Sequence, residues 1–311
     1  MTHITEHKRI HLIGIGGCSM SGLASILKNR GYYVQGSDRA ESPFTERLKE
    51  LGVPVFIGHD AKNIGDCDLI IFSAAIKSDN VERAEAKRRG IPELERSEAL
   101  GQLTEGYESV VGIAGCHGKT TITSMLALIC EQGGPDATVH IGGFVDFLNG
   151  GVRLGAHDMF ITEACEYVES FLTLRPTIAL INNIDNDHLD YYGDMEHIVA
   201  AFKKFAALLP ENGLLIGNTD DFRVRALMAE HTGRKLSYGM KDADYTPANI
   251  TYDDNGCPGF DIMFRGEKLM HIQLRIPGEH SVMNAIAAAA VAREIGADDK
   301  CIVSALNAFR N

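Results

Sequence analysis

Ser109-Val-Val-Gly-Ile-Ala-Gly-Cys-His-Gly-Lys-Thr-Thr121 is the stretch on which the fold turns. Its first six residues are apolar and β-branched enough for a buried strand, and 120–131 continues with helical apolar spacing. Between them Gly115 and Gly118 bracket Cys116 and His117, ahead of Lys119, Thr120 and Thr121. Strand, glycine-rich turn and helix in that order build a phosphate cradle. Glycine lets the backbone wrap the anion, the helix N-terminal amides face its oxygens, the lysine adds a point charge, and the hydroxyl can hold Mg²⁺. A strict P-loop would have its first glycine at Ile113, so this is a shorter Gly-x-x-Gly-Lys-Thr variant. A glycine-rich turn with a surface lysine is the alternative.

Upstream, 9–15 reads as a buried strand. The turn Gly14-Ile-Gly-Gly-Cys-Ser-Met-Ser-Gly22 leads into a helix over 23–30, and a strand over 33–37 ends at Asp38. Further strands fit 53–56 and 69–73, with a charged helix over 80–89 before Pro92. Such alternation implies a parallel sheet. The Gly14-x-Gly16-Gly17 turn can seat a diphosphate on the following helix, and Asp38 stands where an acidic residue would meet a ribose hydroxyl. Ser19 occupies the third fingerprint glycine, which disfavours a nicotinamide-dependent dehydrogenase relative to a nucleotide-diphosphate binder. Tight packing without a ligand is the other reading of this turn. The polar stretch 98–108 places a domain boundary near Gly106, giving domains 1–106 and 107–311.

Downstream, strands are expected near Val139 and over 159–163, 178–182 and 214–217, with helices over 120–131 and 195–209. The short alternating runs of 244–276, with turns at Asp254-Asn-Gly256 and Arg265-Gly266, predict a small antiparallel sheet before an alanine-rich helix over 281–295. Glu163-Ala-Cys-Glu166 and Asn182-Asn-Ile-Asp-Asn-Asp-His188-Leu-Asp190 follow strands, at the carboxyl ends where open α/β sheets collect ligands. Glu163 and His188 are therefore expected to converge on a metal beside Lys119. Magnesium prefers oxygen, so His188 fits equally as a hydrogen-bonded loop residue. His280 and Asn284 share a helix face that can hold an adenine edge, or can cap and pack that helix.

Composition narrows the classes. A length of 311 residues predicts about two domains, and a formal charge of -12 argues against any broad nucleic-acid groove. The seven cysteines are odd in number and form no Cys-x-x-Cys pair, so they read as reduced thiols without structural zinc. No signal-peptide pattern opens the chain, and no apolar run approaches the roughly 18 residues that would span a bilayer. A cytoplasmic protein without membrane partners is expected.

Together these pieces resemble the Mur ligases, the ATP-dependent amide-forming enzymes of peptidoglycan synthesis. The marks are the 14–24 turn, Gly36-Ser-Asp38, Ser73-Ala-Ala-Ile76, Gly115-Cys-His-Gly-Lys-Thr-Thr121, Glu163-Ala-Cys-Glu-Tyr167, Asn183-Ile-Asp-Asn-Asp-His-Leu-Asp190 and Pro277-Gly-Glu-His280 with Asn284. Ser19 and Cys116 depart from the family's usual glycine and threonine. The resemblance implies an α/β chain: an N-terminal Rossmann-like parallel-sheet domain, then a P-loop-type ATP-binding domain with a small antiparallel subsheet. The first would bind UDP-N-acetylmuramate through Gly14, Gly16, Gly17, Met20, Ser21, Asp38 and Ser73. The second would bind ATP through Gly115, His117, Gly118, Lys119, Thr120, Thr121, His280 and Asn284, with Mg²⁺ on Thr120, Glu163 and His188. Lys119, Glu163 and His188 would carry the catalysis.

The branch implied is the one that joins L-alanine to the sugar's carboxylate. Its recycling relative, which attaches a tripeptide, and a non-catalytic UDP-sugar-binding protein are the alternatives. Family members continue through a third domain carrying most of the amino-acid pocket. The chain is accordingly expected to be an incomplete piece that lacks this domain, ends at Asn311, binds the sugar nucleotide, and turns over poorly or not at all. A lysine after His188 is carbamoylated in some relatives, and neither Lys203 nor Lys204 is assigned that role.

Overall fold

Strand and helix alternate through the first hundred residues and close one parallel sheet. In chain order the elements are β1 (Arg9–Ile13), α1 (Cys18–Asn29), β2 (Tyr33–Asp38), α2 (Pro43–Glu50), β3 (Val55–Ile57), β4 (Leu69–Phe72), α3 (Val81–Arg89), β5 (Glu93–Glu95) and α4 (Arg96–Thr104). The strand order is β3-β2-β1-β4-β5, and each neighbouring pair is parallel. The chain leaves β1 for β2 on one side and later returns to β4 on the other, so the carboxyl end of β1 is where the strand order reverses and a crevice opens. Gly14, Asp38 and Ser73 lie just beyond β1, at the end of β2 and just beyond β4. The computed structural model describes residues 2–310, and Asn311, the expected chain end, lies outside the described residues.

Three local readings need correction. Helix α1 starts at Cys18, not 23, because the turn is spent by Gly17, the last residue in extended conformation. Helix α2 was not foreseen, although Ser42 and Thr45 form a capping box and Pro43 takes the first helical position. The 98–108 stretch is no simple linker: 96–104 is helical, capped by Glu95, and buries Ala99, Leu100 and Leu103.

The second set of elements is β6 (Ser109–Ala114), α5 (Lys119–Glu131), β7 (Ala137–Val145), β8 (Gly150–Arg153), β9 (Ala156–Glu163), β10 (Ile178–Ile181), α6 (Leu189–Tyr192), α7 (Met195–Ala206), β11 (Leu214–Asn218), α8 (Phe222–Glu230), β12 (Arg234–Tyr238), β13 (Tyr245–Tyr252), β14 (Pro258–Phe264), β15 (Glu267–Gln273), α9 (Glu279–Glu294) and α10 (Asp299–Ala308). The sheet order is β15-β14-β13-β12-β11-β10-β6-β9-β7-β8. Strands β9, β6, β10, β11, β12 and β13 pair in parallel, while β13-β14-β15 is antiparallel. The expected subsheet is thus present, but it extends the large sheet through the β12–β13 pairing. Helix α9 buries Val282, Ala285, Ile286, Ala289 and Val291, an apolar set too wide for a surface helix.

The chain divides into two compact units, Met1–Gly106 with His140–Leu154 and Tyr107–Val139 with Gly155–Asn311. Of the expected second domain, 107–311, the hairpin over 140–154 groups with the first unit. Its packing shows why, since His140 bonds to Ser19 and Cys18 donates to the Ile141 carbonyl. Among the described residues no helix is long and apolar enough to cross a membrane, and no two cysteines form a disulfide.

A polar network is sealed inside the first unit. Glu82 and His11 are both 0% exposed, and Glu82 accepts hydrogen bonds from His11 Nε2 (3.2 Å), Ser37 Oγ, Asn63 Nδ2 (2.7 Å) and the Asp60 amide (3.2 Å). Gln35 Nε2 lies 3.2 Å from His11 Nδ1, so the ring is held at both nitrogens, by Gln35 and by Glu82. Burial alone would raise the Glu82 carboxyl. The bonds from His11, Ser37 and Asn63 outweigh it and hold the group below the usual carboxylate value.

Candidate functional site

In the first unit the glycine turn is tied to the end of β2. Gly14 and Ile15 amides donate to the Ser37 carbonyl at 2.8 and 3.0 Å, and the Gly16 amide donates to Asp38 Oδ2 at 2.8 Å. A Cβ at Gly16 would fall 2.7 Å from Thr45 Cγ2, so only glycine fits. Asp38 is thus partly committed to shaping the turn, with one oxygen on Gly16. Gly17, at the N-terminus of α1, is exposed, and Ser73 is half-buried beyond β4. Met20 and Ser21 differ from expectation. Both are buried; the Ser21 amide bonds to the Gly17 carbonyl and its hydroxyl donates to the Cys18 carbonyl, so the side chain turns back into the helix.

Ser19, where the fingerprint has glycine, has partners of its own. Its carbonyl accepts from His140 Nε2 at 3.1 Å, and its hydroxyl accepts from Arg96 at 3.4 Å. Burial pushes His140 down to about 4; the bond to Ser19 opposes this and the Arg96 charge adds to it. The folded state therefore disfavours the imidazolium. Stability is complete above the ordinary histidine value of about 6.5 and falls as pH drops from there toward 4, by about 3 kcal/mol. Urea unfolding at several pH values should show this loss in the native chain and a smaller one in His140→Gln; equal losses in both would contradict the assignment.

In the second unit the loop after β6 lies between the carboxyl ends of β9 and β10, its neighbours in the sheet. Gly118 caps α5 with φ 85°, and a Cβ there would meet Asn182 Nδ2 at 2.6 Å and Asn284 Oδ1 at 2.7 Å. Two asparagines hold the loop by its backbone. Asn183 Oδ1 accepts from the His117 amide at 2.8 Å, while the Asn182 and Asn183 side-chain amides donate to the His117 carbonyl at 2.9 and 3.0 Å. Tyr238 donates to Asn182 Oδ1 at 2.6 Å. Cys116 is buried, its sulfur accepting from the Asp185 amide at 3.1 Å, and burial pushes the thiol up to about 11. It stays protonated near neutrality and serves as a tether.

The expected site residues converge, with one exchange of partner. Thr120 Oγ1 donates to Glu163 Oε2 at 3.2 Å. Lys119, however, pairs with Glu166, its ammonium 2.9 and 3.1 Å from the two carboxylate oxygens. Glu166 is also 3.7 Å from His188 Nε2, and Glu166, Asp187 and His188 offer ligand atoms all within 4.8 Å of one another. The His188 ring packs on Tyr167 at 4.6 Å between centroids. Glu166, Asp187 and His188 thus form a group that could hold a metal ion, and the Thr120–Glu163 pair is a second feature of the same loop ends. Glu166 follows Glu163, the last residue of β9, by three residues, and nothing in the spacing tells which of the two faces the lysine. On α9, His280 is exposed, while Asn284 is buried with its Oδ1 3.5 Å from the Asn182 side-chain amide. Thr121 is half-buried, and the His117 ring is exposed, 3.9 Å from Asp185. Lys203 and Lys204 pair with Glu230 and Glu169.

Known proteins share this sequence and fold. Residues 9–108 match the Mur ligase family catalytic domain and 113–292 the Mur ligase middle domain. A UDP-N-acetylmuramate–L-alanine ligase from Alkaliphilus metalliredigens is 44% identical over 311 residues, covering 99% of this chain and 68% of that one. One from Clostridium beijerinckii is 44% identical over 97% of this chain and 66% of its own. The chain thus spans about two thirds of the length of these relatives. Among solved structures, the UDP-N-acetylmuramate–alanine ligase of Thermotoga maritima gives a TM-score of 0.86 at 29% identity, over 98% of this chain and 69% of that one. The UDP-N-acetylmuramate:L-alanyl-γ-D-glutamyl-meso-diaminopimelate ligase of Neisseria meningitides gives 0.86 at 28%, over 98% and 99%. The expectation of poor turnover finds no support in these alignments. Two domain matches in tandem, near-complete alignment and the phosphate loop with its acidic neighbours give one conclusion: the chain belongs to the Mur ligase family.

Proposed function

We propose that this chain carries the sugar-nucleotide and ATP sites of a cytoplasmic ligase that joins L-alanine to the carboxylate of UDP-N-acetylmuramate. The observation that carries the reading is Lys119, at the start of α5, paired with Glu166 of the Glu166, Asp187 and His188 group, at a helix N-terminus of the kind that binds anions. The 42–44% identity to alanine-adding relatives supports this branch over the tripeptide-attaching one.

In the reaction the lactyl carboxylate attacks the γ-phosphorus of ATP and ADP leaves; the amine of L-alanine then attacks the carbonyl carbon of the acyl phosphate, the C–N bond forms, the amine loses a proton and inorganic phosphate leaves. Such phosphoryl transfer rests on positioning and charge neutralisation, with no protein nucleophile required. Lys119 would leave Glu166 for the β/γ-phosphates, the N-terminal amides of α5 would take phosphate oxygens, and Asn182 and Asn183 would hold the loop open. Two carboxylates and an imidazole suit a divalent cation that keeps part of its water; Glu166, Asp187 and His188 would hold Mg²⁺, with Thr120 and Glu163 beside them. Bound there, the cation neutralises charge on the transferring phosphate. In the first unit Gly14, Gly16, Gly17, Asp38 and Ser73 would take the UDP-sugar.

Thermal melting tests the reading. UDP-N-acetylmuramate and Mg-ATP should each raise the melting temperature, by about 3 kcal/mol of linkage at a hundredfold excess over Kd, whereas NADH should not. Stabilisation by the sugar nucleotide alone would favour a binding module without ATP chemistry, and stabilisation by neither would overturn the proposal.

A further inference from the structure

Directly after Glu166 the backbone takes a shape its sequence resists. Val168 and Glu169 both lie in the left-handed region, at φ 49° and 55°, and neither is glycine. A β-branched residue adopts that conformation only where its surroundings impose it. Here the impositions come from α6 and α7. Phe171 is buried, stacked on Phe205 at 4.8 Å and edge-on to Phe202 at 5.4 Å. Lys204 Nζ is 2.8 Å from Glu169 Oε1. The Tyr192 hydroxyl, on a side chain only 7% exposed, donates to the Glu166 carbonyl, which also accepts the Glu169 amide at 2.9 Å.

Every one of these contacts fixes the turn 166–169, and the side chain that emerges from it is the buried Glu166 carboxylate aimed at Lys119 and His188. We infer that Tyr192 is a positioning residue for the divalent cation: by anchoring the Glu166 carbonyl it holds a strained turn in the one shape that presents the Glu166 carboxylate to the metal. The inference rests on the ATP and cation reading above. Tyr192 touches neither nucleotide nor cation in this arrangement; it acts through the backbone of the residue that does. The strain gives the arrangement its purpose, because a relaxed turn would let the carboxylate follow Lys119 when the lysine moves to the phosphates.

The test separates metal affinity from nucleotide affinity. Binding of ATP to the whole chain is followed by calorimetry at increasing Mg²⁺ and again in chelator. Tyr192→Phe should raise the Mg²⁺ concentration for half-maximal ATP binding about tenfold, as loss of a second-layer partner does, and leave metal-free ATP binding unchanged. Val168→Gly, which takes the left-handed conformation without strain and deletes no polar contact, should leave the midpoint near native and, combined with Tyr192→Phe, bring it back toward the native value. Val291→Ala, a core truncation on α9, should lower the melting temperature and leave the midpoint where it is. An unmoved midpoint in Tyr192→Phe, with a native chain that does require Mg²⁺, overturns the positioning role while sparing the ATP reading. A native chain whose ATP binding ignores Mg²⁺ overturns the cation reading and this inference with it.

Discussion

Replacing Lys119 by alanine is expected to weaken ATP binding by at least about 100-fold while leaving the affinity for UDP-N-acetylmuramate unchanged. The ammonium pairs with both carboxylate oxygens of Glu166, and it sits at the start of α5 where phosphate oxygens would approach. Its charge-assisted bonds are each worth about 1.5–3 kcal/mol. The sugar-nucleotide residues, by contrast, all belong to the other unit. A complication is built into the site: without Lys119 the Glu166 side chain, 2% exposed, faces Asp187 without a cation, and the chain should lose about 3 kcal/mol of stability as well. The double substitution Lys119→Ala with Glu166→Gln removes that stranded charge. It should melt close to the native temperature and still fail to bind ATP, which separates a binding defect from an unfolding one. ATP affinity retained in the double variant would remove Lys119 from the site.

The legible and illegible parts of this molecule differ in range. Strand-turn-helix units declare themselves locally, since the apolar run of β6, the loop glycines and the spacing of Ile122, Met125, Leu126 and Ile129 lie within two dozen residues. The same holds for the hairpin at Arg265 and Gly266, both at positive φ. What could not be read depended on partners far along the chain. The 140–154 hairpin joins the first unit through His140 and Gly22, where a Cβ would fall 2.8 Å from the imidazole, and neither residue carries a local sign of the other. Asn182 and Asn183 hold the phosphate loop with side chains that a sequence shows only as polar residues after a strand. The pairing of Lys119 with Glu166 is followed by a left-handed turn at Val168 and Glu169 that no propensity would suggest.

Glu82→Met should be the most destabilising single change in the first unit, costing about 3–5 kcal/mol and lowering its melting temperature by about 10 °C. Methionine fills the space of the glutamate but accepts nothing, and four donors then face a dry cavity: His11 Nε2, the Ser37 hydroxyl, Asn63 Nδ2 and the Asp60 amide. The pH dependence identifies the cause. Because the folded carboxyl titrates below its ordinary value, its contribution is complete above about pH 4.3 and is lost as pH falls through the folded value. The deficit of the variant should thus be full at neutral pH and shrink only in strong acid, below most of the window in which His140 acts. Function should follow structure here, since the Ser37 carbonyl receives the Gly14 and Ile15 amides while its hydroxyl is bound to Glu82. Freeing that hydroxyl loosens the turn that would seat the diphosphate, so UDP-N-acetylmuramate should bind more weakly to Glu82→Met while Mg-ATP binds as before. A stability deficit that persists undiminished to about pH 3 would show that the carboxylate's charge is not what the network holds in place.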